Sequence, residues 1–133
     1  MPERNYGRKY MRIKPESPIF ADIAIVCIGE RKVITGTARV RLTDISPGGL
    51  RFVSPLSLPV DDRVLIELKF IVLDHTFKLK GHIIHKTGIE VNEYEYGFSF
   101  TQADDELKAC LKKLFNNMFV RLNKHIVFLK FSS

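Results

Sequence analysis

The stretch TDISPGGLRF, residues 43–52, contains the strand pattern and the turn on which the predicted fold depends. Asp44 and Ser46 are two residues apart, so they project to the same side if a strand continues through them. The PGG segment (47–49) predicts a sharp turn, because proline fixes φ and glycine adopts conformations that other residues avoid. The LRF segment (50–52) then resumes a strand. Taken alone, this is a plain β-turn in which the Asp and Ser side chains bond to their own backbone.

Strand-type runs separated by turn signals extend from this unit in both directions. The six predicted strands cover residues 18–28, 33–45, 49–54, 63–74, 76–88 and 94–100. Two prolines between the third and fourth of them, in residues 55–62, predict a loop. Because the connections are local, the sequence predicts an all-β (mainly β) chain that forms an antiparallel barrel or sandwich.

The hydrophobic period changes after residue 101. Apolar residues now fall on one stripe of a helix: Leu107, Cys110, Leu111, Leu114, Phe115, Met118 and Leu122. This pattern predicts a C-terminal α-helix over 102–124 that packs on its own domain or, alternatively, against a dimer or partner helix. The tail, 125–133, contains an apolar run that either extends the helix or adds an edge strand.

The composition is that of a single folded domain. With 133 residues and 45% apolar residues, the chain is long enough to bury one core. No apolar run approaches the roughly 18 residues that span a bilayer, and the N-terminus lacks the apolar region of a signal peptide. We therefore predict a cytoplasmic protein without a membrane span. Cys27 and Cys110 are predicted to be reduced and buried.

Basic residues are concentrated at the N-terminus. The formal net charge is +6, and residues 1–14 hold five basic residues against one acidic residue. The stretch RKYMR (8–12) lies in this part, and we predict that residues 1–17 form a flexible basic segment. Such a cluster favours an anionic partner, which could be nucleic acid, a membrane surface or a phosphorylated small molecule.

Enzymatic patterns have little support in the sequence. His82 and His85 are three residues apart in a predicted strand, so we expect them on opposite faces, unable to share a metal ion. No P-loop, HExxH or serine-nucleophile pattern is present. The acidic pairs 61–62 and 104–105 suit a turn and a helix start. The sequence therefore predicts a protein that is not an enzyme and needs no cofactor or metal.

Two short motifs in order change the interpretation of the turn. Arg8-x-x-x-Arg12 is followed after 31 residues by Asp44-x-Ser46-x-x-Gly49. This arrangement resembles the PilZ domain family, the bacterial receptor module for cyclic di-GMP. The resemblance implies a six-stranded antiparallel PilZ-type β-barrel over 18–101, followed by the C-terminal helix.

The resemblance also implies the roles of individual residues. Arg8 and Arg12 would contact guanine and phosphate, and Asp44, Ser46 and Gly49 would form the barrel side of the site. The possible auxiliary residues are Arg4, Lys9, Gly48 and Arg51, and Arg41 could line the same face. Arg4 begins a second RxxxR, but the later register is preferred because its second arginine directly precedes the lead-in to the first strand. The two arginines would then act as a mobile clasp over the ligand.

The function that the resemblance implies is a single-domain effector or adaptor. Binding of cyclic di-GMP would change its affinity for an unidentified downstream protein, in motility, biofilm or exopolysaccharide control, with the chain a monomer or homodimer. One alternative is a small basic β-barrel that binds nucleic acid, although only Tyr6 and Tyr10 interleave with the basic cluster. Another is a ligand-independent PilZ-like interaction protein, against which both intact motifs argue.

Overall fold

The computed structural model describes residues 12–15, 17–102, 104–114 and 116. Its strands form a single sheet. Helix α1 follows the last strand and is continuous from residue 105 to 114. The strands are β1 (Ile19–Ile28), β2 (Arg31–Lys32), β3 (Ala38–Ser46), β4 (Gly49–Ser54), β5 (Val64–Val72), β6 (His75–Glu90) and β7 (Glu93–Phe100).

The six long strands close into an antiparallel barrel. Their order in the sheet is β1-β3-β4-β7-β6-β5, and β5 pairs again with β1. This confirms the predicted six-stranded antiparallel barrel with a C-terminal helix. The two-residue β2, which pairs with the end of β1, is an additional strand that the sequence did not predict.

The second predicted strand, 33–45, begins later than expected. Residues 33–37 are not part of a strand, and β3 begins at Ala38. The side chain of Thr35 partly replaces the missing ladder, because its hydroxyl accepts a bond from the Ile25 amide at 3.1 Å and donates one to the Ile25 carbonyl at 3.3 Å. A side chain therefore satisfies the backbone of β1 where no neighbouring strand does.

The barrel interior is filled by the inward-facing residues of all six strands, with Phe52 and Tyr96 stacked at a centroid distance of 5.0 Å. Helix α1 packs against this core through Leu107, Cys110 and Leu111, as its apolar stripe predicts. An aspartate starts the helix: the Leu107 amide donates to Asp104 Oδ1 at 2.8 Å. Phe115, Met118, Leu122 and the 125–133 tail lie outside the described residues. Cys110 is buried as expected, whereas Cys27 is only half-buried.

The segment before β1 also contributes to the barrel. Ile13 exchanges two backbone hydrogen bonds with Ile45 of β3, at 2.9 and 3.0 Å, and its side chain is only 1% exposed. The chain therefore meets the core five residues before the predicted start of the barrel at residue 18. In the part of the chain that the structure describes, no helix is long and apolar enough to cross a membrane.

Candidate functional site

A β-bulge in β3 turns polar side chains out of the barrel. Leu42 points inward, and strict alternation would send Asp44 and Ser46 inward as well. The pairing with β4 shifts by one residue between Leu42 and Asp44, which leaves Thr43 as the extra residue and sets Asp44 opposite Arg51. Asp44 and Ser46 consequently lie on the outer face. The bulge thus avoids the large cost of placing an ionised carboxylate among core side chains.

Asp44 is the centre of a charged cluster on this outer face. Arg12 Nη1 donates to Asp44 Oδ1 at 3.1 Å, and Arg51 Nε lies 3.8 Å from Oδ2. Arg51 Nη1 also lies 3.9 Å from Glu95 Oε1, to which Thr43 donates through the other carboxylate oxygen at 3.3 Å. The Asp44 side chain is 10% exposed, whereas both arginine side chains are 48% exposed. A nearly buried carboxylate therefore holds two guanidinium groups whose remaining N–H donors are open to a ligand.

The turn after β3 is fixed by its own polar groups. The buried Ser46 hydroxyl donates to the Gly49 carbonyl at 3.0 Å across the two-residue loop, and the Phe100 amide donates to the Gly48 carbonyl at 3.0 Å. A Cβ atom added at Gly49 would lie 2.2 Å from the Phe98 carbonyl oxygen. Glycine is therefore required here by the close passage of β4 against β7, whatever binds outside.

Cross-strand pairing aligns the site in two rows across β3, β4, β7 and β6. The first row is Asp44, Arg51, Gly97 and His85, and the second is Ser46, Gly49, Ser99 and His82. Glycine occupies the middle of each row, so the floor between the arginines and the histidines is mostly backbone. This floor underlies an open pocket of about 470 Å³, which is lined by Arg12, Ser46, Gly48, Gly49, Leu50, Arg51, Ile84, His85, Gly97, Phe98 and Ser99.

A second bulge, in β6, forms the opposite wall of the pocket. The register with β7 shifts between Ile83 and His85, so that His82 and His85 lie on the same outer face. The expectation that they face opposite sides was wrong, because it assumed unbroken alternation. His82 Nδ1 lies 2.9 Å from the Val64 carbonyl and His85 Nε2 lies 2.7 Å from the Thr87 hydroxyl. Within the described residues, no group of three His, Cys, Asp or Glu side chains is arranged to hold a metal ion.

Most of the predicted site residues that the structure describes come together at this pocket. Those that line it are Arg12, Ser46, Gly48, Gly49 and Arg51, and Asp44 binds two of them. Arg41 lies on the outer face of β3 but is not a lining residue. Arg4, Arg8 and Lys9 lie outside the described residues. Their contacts with a ligand, like those of the others, stay predictions.

The β6–β7 side of the pocket, which includes its wall and part of its floor, was missed by sequence reasoning. It comprises Ile84, His85, Gly97 and Ser99. One signal was available: Gly97 interrupts an alternating strand, YEYGFSF, and an isolated glycine in a strand often marks a close approach of another group. His85 has no comparable signal, because its outward position depends on the bulge.

Comparison with known proteins identifies the family. The model of the PilZ domain matches residues 6–117. Among solved structures, the Bacillus subtilis inhibitor of motility, MotI/DgrA, superposes with a TM-score of 0.59 at 15% identity, covering 84% of this chain and 51% of that one. YcgR from Escherichia coli in complex with c-di-GMP gives 0.61 at 18% identity, covering 92% and 50%.

The isolated PilZ domain of YcgR, also solved with c-di-GMP, gives a TM-score of 0.57 at 17% identity, covering 90% of this chain and 96% of that domain. The chain spans about half the length of MotI/DgrA and of the longer YcgR structure. At these identities the likeness shows a shared fold, and no curated protein sequence matches the chain. The family model covers most of the residues, and on that ground the chain belongs to the PilZ domain family.

Proposed function

We propose that the chain is a receptor for cyclic di-GMP and that the pocket on β3, β4, β7 and β6 is its binding site. The observation that carries the proposal is that Asp44 holds Arg12 and Arg51 beside the Ser46–Gly49 turn, at the edge of an open pocket. Support comes from the likeness to YcgR, which was solved with c-di-GMP both as the longer protein and as the isolated domain. PilZ domains are non-catalytic receptors, in line with the expectation that the chain is not an enzyme.

The arginines suit both parts of this ligand. Cyclic di-GMP presents two guanines and two phosphates, and a guanidinium fork can donate two parallel bonds to guanine O6 and N7 or to a phosphate. Arg12 uses one N–H on Asp44 and is half exposed, so it has donors left for the ligand. Each such bidentate contact contributes roughly 1–3 kcal/mol of discrimination in nucleic-acid complexes.

Asp44 has two roles in the proposal. In the free chain it orients both guanidinium groups, and in the complex its oxygens accept bonds from guanine N1–H and N2–H. The flat floor around Gly49 and Gly97 allows a purine face to approach the backbone closely. The Ser46 hydroxyl already donates a hydrogen bond to the Gly49 carbonyl, so with this bond intact it is left to act as an acceptor towards the ligand.

Arg8 completes the proposed site from the N-terminal side. It precedes Arg12 by four residues, and the Ile13–Ile45 bridge anchors the chain just after Arg12. We assign Arg8 to the ligand's guanine or phosphate, with Arg4 and Lys9 as auxiliary contacts. Ligand contact with these residues would change the surface that the N-terminal segment presents.

The output is a change in partner binding. A downstream protein must then bind the liganded and free states with different affinities, because a ligand shifts an equilibrium only by its differential affinity for the two states. Motility, biofilm formation and exopolysaccharide synthesis in the bacterial cytoplasm are the processes that we propose for this adaptor. A partner that binds equally well with and without cyclic di-GMP would contradict the adaptor role while leaving the receptor role intact.

Calorimetric titration at physiological salt tests the receptor role directly. We expect saturable binding of cyclic di-GMP and none of GTP or cyclic di-AMP. Arg12→Ala should weaken binding by about tenfold or more, the loss of one charge-assisted contact of roughly 1–3 kcal/mol, and should keep a cooperative thermal transition. Arg31→Ala is the matched control, because it removes an exposed arginine from β2, outside the pocket. Equal affinities for the two variants, or a folded wild-type chain that does not bind, would overturn the proposal.

A further inference from the structure

The outer surface of the barrel carries a second patch of basic residues, on β3, β1, β5 and β6. Pairing across these strands aligns Arg39, Asp22, Lys69 and Lys78 in one row. Arg41 pairs with Phe20 in the neighbouring row, and Ile71 on β5 lies nearby. We call the exposed set Phe20, Arg39, Arg41, Lys69, Ile71 and Lys78 the basic face.

One pair within the basic face is unfavourable for the fold. Lys69 and Lys78 lie directly opposite each other on β5 and β6, and like charges at such positions destabilise a sheet. Two residues further along the same strands, Glu67 and Lys80 form the favourable combination of opposite charges. Lys69 also lies opposite Asp22 on β1, so its charge is balanced on that side. An acid at Lys78 would therefore make the barrel more stable, and the fold gains nothing from a lysine there.

Apolar side chains lie among these charges. Phe20 is 44% exposed and Ile71 is 57% exposed. They line a shallow cavity of about 330 Å³ together with Arg39 and Lys69. The Arg39 guanidinium carbon lies 4.8 Å from the centre of the Phe20 ring, so this arginine covers one face of the exposed ring.

These features favour a protein partner over a nucleic acid. Single-stranded nucleic acid needs open aromatic faces for stacking, and the exposed ring here is partly covered. Asp22 lies in the middle of the charged row, where it would repel a phosphate backbone but can accept bonds from peptide N–H groups. An apolar side chain of a partner would fit the cavity.

The chain's own ends lack the complementary charge. Residues 117–133 contain no Asp or Glu, and residues 1–11 contain one acidic and three basic residues. We propose that the basic face is a docking surface for a separate protein, which binds it through an acidic segment bearing an apolar anchor. The site is distinct from the cyclic di-GMP pocket, and binding there does not require the nucleotide.

Fluorescence anisotropy with a labelled synthetic peptide tests this proposal without nucleotide. The probe is a short run of Asp and Glu around a central Leu-Phe, and a second probe carries Ser-Ser in place of Leu-Phe. We expect Lys78→Glu to weaken binding of the first probe about fivefold or more, whereas Lys112→Glu, the same charge change on an exposed residue of α1, weakens it less than about twofold.

Lys78→Glu should make the fold more stable even though it weakens peptide binding. Lys78→Glu gives the cross-strand pair opposite charges, and we expect the melting temperature to rise by about 1–3 °C. Phe20→Ser should weaken binding of the Leu-Phe probe about threefold and leave that of the Ser-Ser probe unchanged. If Lys78→Glu is more stable but binds the peptide less well, the weaker binding cannot be explained by a loss of folding.

Three results would overturn the proposal. Equal losses for Lys78→Glu and Lys112→Glu would mean that the peptide senses net charge alone. Equal affinities for the two probes would remove the apolar anchor. Oligothymidylate or phosphatidylglycerol vesicles could also displace the labelled peptide. If either did so at lower concentrations than the unlabelled peptide does, the basic face would be assigned to a nucleic acid or a lipid surface instead. None of these results depends on whether cyclic di-GMP binds.

Discussion

The two β-bulges that border the pocket turn side chains of different chemistry out of the barrel. In β3 the shift after Leu42 turns Asp44 outward, and in β6 the shift after Ile83 turns His85 outward. Asp44 then collects two arginines, whereas His85 bonds to the Thr87 hydroxyl beside Ile84, which is 62% exposed. The pocket thus has a charged wall, formed by Asp44, Arg12 and Arg51, in which each side chain is positioned by the others. We call the opposite side, with Ile84 and His85, the neutral wall because it has no Asp, Glu, Lys or Arg among the described residues that line it.

The difference indicates how binding energy would divide between the walls. Removing one member of the charged wall also releases the others, so its effects should exceed those of a single contact. Removing a side chain of the neutral wall changes only the contact area at that position. The following variants, from the largest expected effect to the smallest, test whether this division holds.

The largest effect concerns the two glycines of the floor. Gly49→Ala should lower the free energy of unfolding by about 3 kcal/mol and the melting temperature by about 10 °C, because its methyl group meets the Phe98 carbonyl oxygen at 2.2 Å. Gly97→Ala should cost about 1 kcal/mol or less, because its nearest neighbour is His85 Cβ at 3.2 Å. Thermal denaturation followed by circular dichroism compares them. Equal losses would mean that both glycines serve the fold.

Asp44→Ala should cause the larger loss of ligand affinity. It removes the proposed guanine acceptor and releases Arg12 and Arg51, so we expect cyclic di-GMP to bind about 30- to 100-fold more weakly, a loss of about 2–3 kcal/mol. His85→Ala should cost about tenfold or less, as a single contact. Calorimetry on both variants, each with an intact thermal transition, decides the order. A larger loss for His85→Ala would place recognition on the neutral wall.

Ser46→Ala should have a moderate effect on stability. The buried hydroxyl donates to the Gly49 carbonyl across the turn, and its loss should lower the free energy of unfolding by about 1 kcal/mol. Thr87→Val removes the hydroxyl that contacts His85 on the neutral wall. That contact is exposed, so the change should stay within about 0.5 kcal/mol. Urea unfolding measures both, and a larger loss for Thr87→Val would contradict the comparison.

The smallest effect is expected for Ile84→Ser. Because the side chain is largely exposed, stability should change by less than about 0.5 kcal/mol. Affinity for cyclic di-GMP should fall about threefold, through the loss of apolar contact with a purine. Titration of this variant beside wild type is the measurement. An unchanged affinity would mean that the ligand lies entirely against the charged wall.

Alternation and turn residues were enough to predict six antiparallel strands that form a barrel or a sandwich, because each long strand has its pattern in its own residues. The resemblance of the two motifs to the PilZ domain was needed to choose the barrel. The motif residues of β3 and its turn were also predictable, as they lie within six positions of one another. The bulges were not, because an extra residue is defined by pairing with a partner strand. His85 meets Gly97 only through the register of β6 and β7. A charged residue at an inward position, as at Asp44, is the one sequence signal that strict alternation must break.

The bridge between Ile13 and Ile45 allows amide hydrogen exchange to report on the opening of the chain next to Arg12. Exchange at Ile13 requires its amide to leave the Ile45 carbonyl, and we expect this opening to loosen the buried Ile13 side chain and the adjacent contact of Arg12 with Asp44. The protection factor of this amide thus reports how rarely the bridge opens in the absence of ligand, in an exchange experiment that lasts minutes to hours. A high protection factor at Ile13 would indicate that the bridge keeps Arg12 beside Asp44 before any ligand binds.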